Sequence, residues 1–121
     1  EQLVFNDKAG MIIVPATEGD IGVLPGHSKF LSSLRPGRVM VYGEDKHLLQ
    51  SFFVSVGFVE FNPEKCIVLA EEVEEMSALD KVTIEQQIRD LENETIDESK
   101  QQYLIAKSKI EALNSSHYEK I

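Results

Sequence analysis

The distribution of glycine and proline divides this sequence into two parts. All seven glycines and all four prolines lie within the first 63 residues, and helix-forming residues dominate after residue 75. Glycine and proline favour turns between short segments, whereas a long stretch without them favours helices. An acidic connection joins the two parts and contains Glu71, Glu72, Glu74 and Glu75. We therefore expect a β-sandwich domain over residues 1–75 and a helical hairpin over residues 76–121.

Short apolar segments in the first part predict at least six strands. Pro15 and Pro25 are expected to end the second and third of them. In the fifth segment the alternation of apolar residues breaks near Gly57, which predicts a bulge or a tight bend. Short strands separated by turns are typical of an antiparallel β-sandwich or barrel. The predicted segments are residues 3–5, 11–14, 21–24, 38–42, 51–58 and 66–69.

Two capping boxes predict the helix starts. In Thr83-x-x-Gln86 the threonine is the expected N-cap, and Thr95-x-x-Glu98 starts a second helix. The link over residues 93–94 is so short that the helices are expected to be antiparallel neighbours. The predicted fold class is α+β, with an N-terminal antiparallel β-sandwich and a C-terminal antiparallel α-helical hairpin. Apolar positions on the helices are Ile84, Ile88 and Leu91, then Tyr103, Ala106, Ile110 and Leu113.

The net charge limits the classes of partner. The chain carries 21 acidic and 12 basic residues, a net charge of −9. This charge argues against binding the phosphate backbone of nucleic acids and against direct adsorption to an anionic membrane. The one cysteine, Cys66, cannot form an internal disulfide. No stretch reaches the ~20 apolar residues of a membrane span, and no signal-peptide pattern opens the sequence, so we expect a cytosolic or organellar protein.

Catalytic and metal-binding patterns are not found in the sequence. The three histidines, His27, His47 and His117, lie far apart without ligand spacing. There is no CxxC pair, phosphate-binding loop or nucleophile elbow. The scattered carboxylates are most simply a solvated surface, and Cys66 is most simply a core residue. We therefore expect no catalytic residue, no metal site and no enzyme activity of the chain by itself.

Two segments have more than one interpretation. Residues 18–27, EGDIGVLPGH, form either two tight turns around a short strand or a shaped contact loop. Isolated helices of this length are marginal in water, so the helical hairpin must pack against something. It either packs permanently on the sheet or is a detachable element. Lys100, Lys107 and Lys109 are expected to give the second helix a basic side.

Four segments in order resemble the epsilon subunit of F-type ATP synthases, called delta in mitochondria. They are residues 18–27, 34–37 (LRPG), 53–60 (FVSVGFVE) and 68–71 (VLAE), and the likeness runs from Glu1 to about Ala112. The resemblance implies a non-catalytic subunit of the central rotor that couples proton-driven c-ring rotation to ATP synthesis through the gamma subunit. It implies a peripheral position on the cytoplasmic face of a bacterial inner membrane, or in the mitochondrial matrix or chloroplast stroma.

The resemblance also implies two sets of contact residues. Loops facing the c-ring would contain Glu18, Gly19, Asp20, Pro25, Gly26 and His27. In many family members the hairpin extends along gamma and inhibits ATP hydrolysis. Basic residues of the second helix then meet acidic residues of the catalytic alpha and beta subunits, and the candidates here are Lys100, Lys107 and Lys109.

The sequence departs from the family pattern at a few positions. The family's first strand would lie before Glu1, Val56 replaces a usual glycine, and Ser28-Lys29 replace Ala-Pro. Some members bind ATP through an I/L-D-x-x-R-A motif, but Thr83 stands in place of its arginine, which argues against bound ATP. No cofactor is therefore expected. The alternative function is a small β-domain adaptor with a helical tail, unrelated to a motor.

Overall fold

The fold contains nine strands and two α-helices in the part of the chain that is described. The computed structural model describes residues 2–7, 10–24, 26, 29–63 and 65–115. The strands are β1 Gln2–Asp7, β2 Met11–Ala16, β3 Gly19–Val23, β4 Phe30–Leu34, β5 Gly37–Tyr42, β6 Leu48–Val54, β7 Gly57–Phe61, β8 Cys66–Ala70 and β9 Val73–Glu75. A 3-10 turn over Met76–Ala78 leads to α1, Lys81–Leu91, and α2, Asp97–Asn114.

The strands form two layers that enclose one core. The first layer has the order β1-β8-β7-β4 and the second has the order β3-β2-β5-β6-β9, with every pairing antiparallel. The layers are connected where Ala16 of β2 pairs with Leu34 of β4. Buried side chains of both layers, such as Val14, Val54 and Val68, belong to one hydrophobic cluster. The predicted antiparallel sandwich with a following helical hairpin is confirmed.

The segment predicted as one alternating strand is two strands in different layers. β6 ends at Val54 and β7 begins at Gly57, so the chain crosses between the layers at Ser55 and Val56. Ser55 is buried, and its hydroxyl accepts a hydrogen bond from the Glu72 amide at 2.9 Å. The bend was expected near Gly57, but the prediction of one continuous strand was wrong because both strands have apolar residues at the junction.

Three further strand predictions differ from the structure. β2 continues through Pro15, whose carbonyl accepts a hydrogen bond from the Arg35 amide at 2.9 Å. Strand β4 was not predicted, because its two serines weaken the apolar pattern. The acidic connection contains β9, in which Glu74 pairs with Phe53 of β6. The boundary at residue 75 between two domains stays a prediction.

Helix α2 covers the outer face of the second layer. Ala112 packs with Phe53 and Met76 in a second hydrophobic cluster, against which Leu79, Ile105 and Leu113 are partly buried. Arg38, Met40 and Tyr42 on the outer face of β5 are buried, as Val39 and Val41 are on the core face. Neither described helix combines the length with the apolar character that a bilayer span requires.

The predicted helix starts were wrong by a few residues. Asp80 is the N-cap of α1, and its Oδ1 accepts a hydrogen bond from the Val82 amide at 3.3 Å, whereas Thr83 lies inside the helix. Helix α2 starts at Asp97, and its N-cap Ile96 makes no side-chain cap bond. An aspartate at N-cap competes well with threonine, which explains the shift in α1.

Candidate functional site

The first candidate contact residues lie in a tight turn between β2 and β3. Ala16 pairs with Gly19, so Thr17 and Glu18 form a two-residue connection, and both are exposed. Gly19 has φ of 140°, a conformation that side chains rarely adopt. The glycine therefore lets the turn close and leaves the Glu18 side chain pointing into solvent.

Arg35 fixes this turn from the neighbouring β4–β5 corner. Its Nη2 lies 2.6 Å from Asp20 Oδ1, and its Nη1 donates to the Ala16 carbonyl at 3.0 Å. The Thr17 amide also donates to the Ser33 carbonyl at 3.2 Å. This role of Arg35 is not predicted by the sequence, although Arg35 lies in the LRPG segment, because only the tertiary fold brings residues 20 and 35 together.

The remaining predicted loop residues are only partly described. Pro25 and His27 lie outside the described residues. Gly26 is exposed, has φ of 82°, and donates its amide hydrogen to the Pro63 carbonyl at 3.3 Å. Gly26 is thus held by the β7–β8 turn, whereas Glu18, Gly19 and Asp20 are held by Arg35 or by the β2–β3 pairing.

The first layer has an exposed apolar face that the sequence analysis did not identify. Phe58 of β7 pairs directly with Leu69 of β8, so both side chains lie on the same face. Leu31 of β4 pairs with Glu60, one diagonal step from Phe58. Leu31 is 69% exposed and Phe58 is 41% exposed. We call Leu31, Phe58 and Leu69 the outer apolar face. The sequence signal for this face was the pair of consecutive apolar residues Phe58 and Val59, since in a strand one of the two must point outward.

The three candidate lysines do not lie on one side of α2. Lys100 and Lys107 are two turns apart on the same exposed face, and Lys107 Nζ lies 5.3 Å from the centre of the Tyr103 ring. Lys109 follows Lys107 by two residues and therefore points about half a turn away. Its side chain is only 12% exposed, and its Nζ forms an ion pair with Glu74 Oε1 at 2.7 Å. The expected basic side thus contains two of the three lysines.

The positions aligned with the family's ATP-binding motif form a helix cap. Thr83 Oγ1 lies 2.5 Å from Asp80 Oδ2, and Asp80 Oδ1 accepts the Val82 amide hydrogen. Both oxygens of the aspartate are therefore engaged with the first turn of α1. Where the motif has an arginine, this chain has a hydroxyl that stabilises its own helix start.

The titratable groups do not form a reactive centre within the described residues. No three His, Cys, Asp or Glu side chains among them are grouped as metal ligands. Burial raises the pKa of the Cys66 thiol to about 12, which keeps it protonated and a poor nucleophile. A backbone hydrogen bond from His47 lowers the pKa of Asp45, but both side chains lie exposed in the β5–β6 turn.

Comparison with known proteins agrees with this geometry. The family model of the ATP synthase delta/epsilon chain beta-sandwich domain matches residues 1–76. The ATP synthase epsilon chain of Rhodospirillum centenum is 38% identical over 80% of this chain and 69% of its own length. That of Thioalkalivibrio sulfidiphilus is 30% identical over 96% of this chain and 82% of its own length.

Other relatives are covered less completely, and a solved structure shares the fold. The chain covers 62% of the length of the Rhodospirillum rubrum epsilon chain, at 36% identity. A chain in the cryo-EM structure of the Euglena gracilis mitochondrial ATP synthase OSCP/F1/c-ring matches 89% of this chain and 69% of its own length, with a TM-score of 0.73 and 21% identity. The predicted resemblance is confirmed, and this chain belongs to the ATP synthase epsilon-chain family.

Proposed function

We propose that this chain is a central-stalk subunit of an F-type ATP synthase, which transmits rotation and performs no chemistry itself. The observation that carries the proposal is the outer apolar face on the sandwich of this chain, together with the membership of the chain in the epsilon-chain family. An exposed apolar patch on a stable sheet is typical of a protein-binding surface. Family membership also argues against the alternative of an adaptor unrelated to a motor.

The gamma subunit is the proposed occupant of the outer apolar face. Leu31 and Phe58 stand on paired strands and present a fixed surface. Fully burying an exposed side chain of this kind is worth about 1.5–3 kcal/mol. Leu31 is 69% exposed and Phe58 is 41% exposed, so each can contribute only part of that to a complex. A face held on paired strands is rigid, which suits a contact that must transmit torque. An apolar contact also depends little on ionic strength.

The c-ring is the proposed partner of the turn with Glu18, Gly19 and Asp20, and of the segment with Pro25, Gly26 and His27. The Arg35 hydrogen bonds hold the first of these loops in one conformation. The Euglena gracilis assembly that contains the matching fold includes a c-ring. The protein would then be peripheral to the membrane, on the cytoplasmic face in a bacterium, or in the matrix or stroma of an organelle.

The helical hairpin is proposed to inhibit ATP hydrolysis by contacting the catalytic alpha and beta subunits. The exposed Lys100 and Lys107 are suited to acidic residues of those subunits. Deleting residues 80–121 is therefore expected to raise the ATPase activity of the assembled enzyme without impairing assembly. Unchanged activity in a fully assembled enzyme would contradict inhibition but leave the stalk role intact.

Binding to gamma tests the stalk role directly. The chain and a gamma subunit should elute together as a one-to-one complex in size-exclusion chromatography with light scattering. Replacing Leu31 and Phe58 by serine should abolish the complex while the circular dichroism spectrum stays unchanged. The matched control is Leu49→Ser, which removes a leucine of similar exposure, 63%, from the other layer. Failure of the folded, unsubstituted chain to bind gamma would contradict the proposal.

A further inference from the structure

Polar contacts attach helix α2 to the sheet, and two of them lie within the described part of the chain. Lys109 Nζ lies 2.7 Å from Glu74 Oε1 of β9. Arg38 of β5, which is 8% exposed, donates from Nη1 to the Ser115 carbonyl at the end of α2 at 3.2 Å. A cation at the last carbonyls of a helix is in the favourable orientation of the helix dipole. The two contacts therefore hold the C-terminal half of α2 at Lys109 and at the end of the helix.

Lys109 lies over a pair of cross-strand neighbours. Glu74 and Phe53 are directly opposite each other in the β6–β9 ladder, so their side chains share one face. Lys109 Nζ pairs with the carboxylate and lies 5.7 Å from the centre of the Phe53 ring. A cation over an aromatic face adds attraction to the ion pair. One side chain of α2 thus makes two electrostatic contacts with the sheet.

The apolar contact beneath α2 is small and is flanked by two openings. Its fully buried members are Phe53, Met76 and Ala112. An opening of about 480 Å³ is lined by Arg38, Phe52, Met76 and Leu113, among others. A smaller one of about 110 Å³ lies beside Arg38, Ser108 and Ala112. Because only these few side chains form the buried apolar contact, the polar contacts add appreciably to the docking of α2.

We infer that the Lys109–Glu74 ion pair is a latch that holds α2 on the sheet, so that Lys109 sets how often the hairpin is released. Release exposes both charges to water, where each is well solvated, so the latch opens without leaving a buried charge behind. Lys100 and Lys107 point away from the sheet and do not contribute to the latch. The link between release and inhibition rests on the proposed function, but the latch itself is a property of the chain alone.

The rate of thiol labelling measures release directly. Ala112→Cys places a thiol under α2, where it reacts only when the helix leaves the sheet. Native Cys66 lies in the sandwich core and reacts only when the whole domain opens, so it is an internal reference. In the full-length Ala112→Cys chain, Lys109→Met should raise the labelling rate of residue 112 about tenfold, since a charge-assisted hydrogen bond is lost. The rate at Cys66 should stay unchanged.

Matched variants separate a latch from general stability. Glu74→Gln should act like Lys109→Met, whereas Lys107→Met on the exposed face should change neither rate. The exchange of charges in Glu74→Lys with Lys109→Glu should restore slow labelling at residue 112. An unchanged rate in Lys109→Met, or a parallel rise at Cys66, would overturn the latch. If the latch behaves as expected but deletion of residues 80–121 leaves the ATPase activity unchanged, only the inhibitory role fails.

Discussion

Gly57 lies at the corner between the layers, and because it has no side chain the backbone of β8 can pack directly against it. A Cβ at this position would lie 2.0 Å from the Leu69 carbonyl oxygen and 2.7 Å from the Ala70 Cα. Neither backbone atom can move aside without breaking the β7–β8 ladder. We expect Gly57→Ala to lower the free energy of unfolding by about 3 kcal/mol, measured by urea denaturation.

Gly22 is the matched control for that substitution. It also lies in a strand, but a Cβ there would meet nothing closer than 3.9 Å. Gly22→Ala should therefore change the free energy of unfolding by no more than about 1 kcal/mol, in the stabilising direction. Equal losses in the two variants would contradict the close approach at Gly57.

Burial of the Cys66 thiol should make the free energy of unfolding depend on pH. In the unfolded chain its thiol ionises near the ordinary pKa of 9.0, but burial in the folded state raises this pKa to about 12. The unfolded chain thus releases the proton first, so stability is fully present below pH 9 and is lost as pH rises toward 12. Between the two pKa values the loss should approach about 1.4 kcal/mol per pH unit, as measured by urea denaturation. Cys66→Ala should remove this part of the slope; the same slope in both proteins would contradict the assignment.

At the scale of elements, helix α1 depends on a cap that the sequence pattern misplaced. Asp80 binds both the Val82 amide and the Thr83 hydroxyl. Asp80→Ala should lower stability by about 1 kcal/mol and reduce helical circular dichroism on heating. Thr95→Ala, in the second predicted capping box, should change stability by less than about 0.5 kcal/mol, because α2 has no side-chain cap bond. A larger effect of Thr95→Ala would contradict the observed helix start.

The elements show which local patterns were sufficient and which were not. Runs such as β5 and β8 were predicted because their apolar residues are continuous and turns bound them. β4 was not predicted, because its two adjacent serines conceal its alternation. β9 was not predicted, because from the sequence alone Glu74 is expected to be a solvated acid, whereas in the structure it pairs with Lys109. Local periodicity indicates which side chains of a segment face the core and which face solvent. It does not indicate which residue from a distant part of the chain will pack over them.

At the scale of the whole molecule, the contact residues were harder to predict than the fold. The family resemblance named the β2–β3 turn and the helix lysines, but it could not assign a direction to each lysine. That direction follows from the register of α2 on the sheet, which buries Lys109 and exposes Lys100 and Lys107. The outer apolar face likewise depends on the pairing of β4, β7 and β8.

The opposite directions of the lysines predict opposite effects on the assembled ATP synthase. Lys109→Met opens the latch, so more hairpins are released and ATP hydrolysis should fall by about twofold or more. Lys100→Met with Lys107→Met leaves docking intact but removes charges that would meet the catalytic subunits. Hydrolysis should therefore rise, most clearly at low ionic strength, where exposed charges are least screened. Steady-state ATPase assays at two salt concentrations measure both effects. If all three lysines simply contacted the catalytic subunits, every variant would raise hydrolysis, so the sign of the Lys109 effect decides between a latch and a contact.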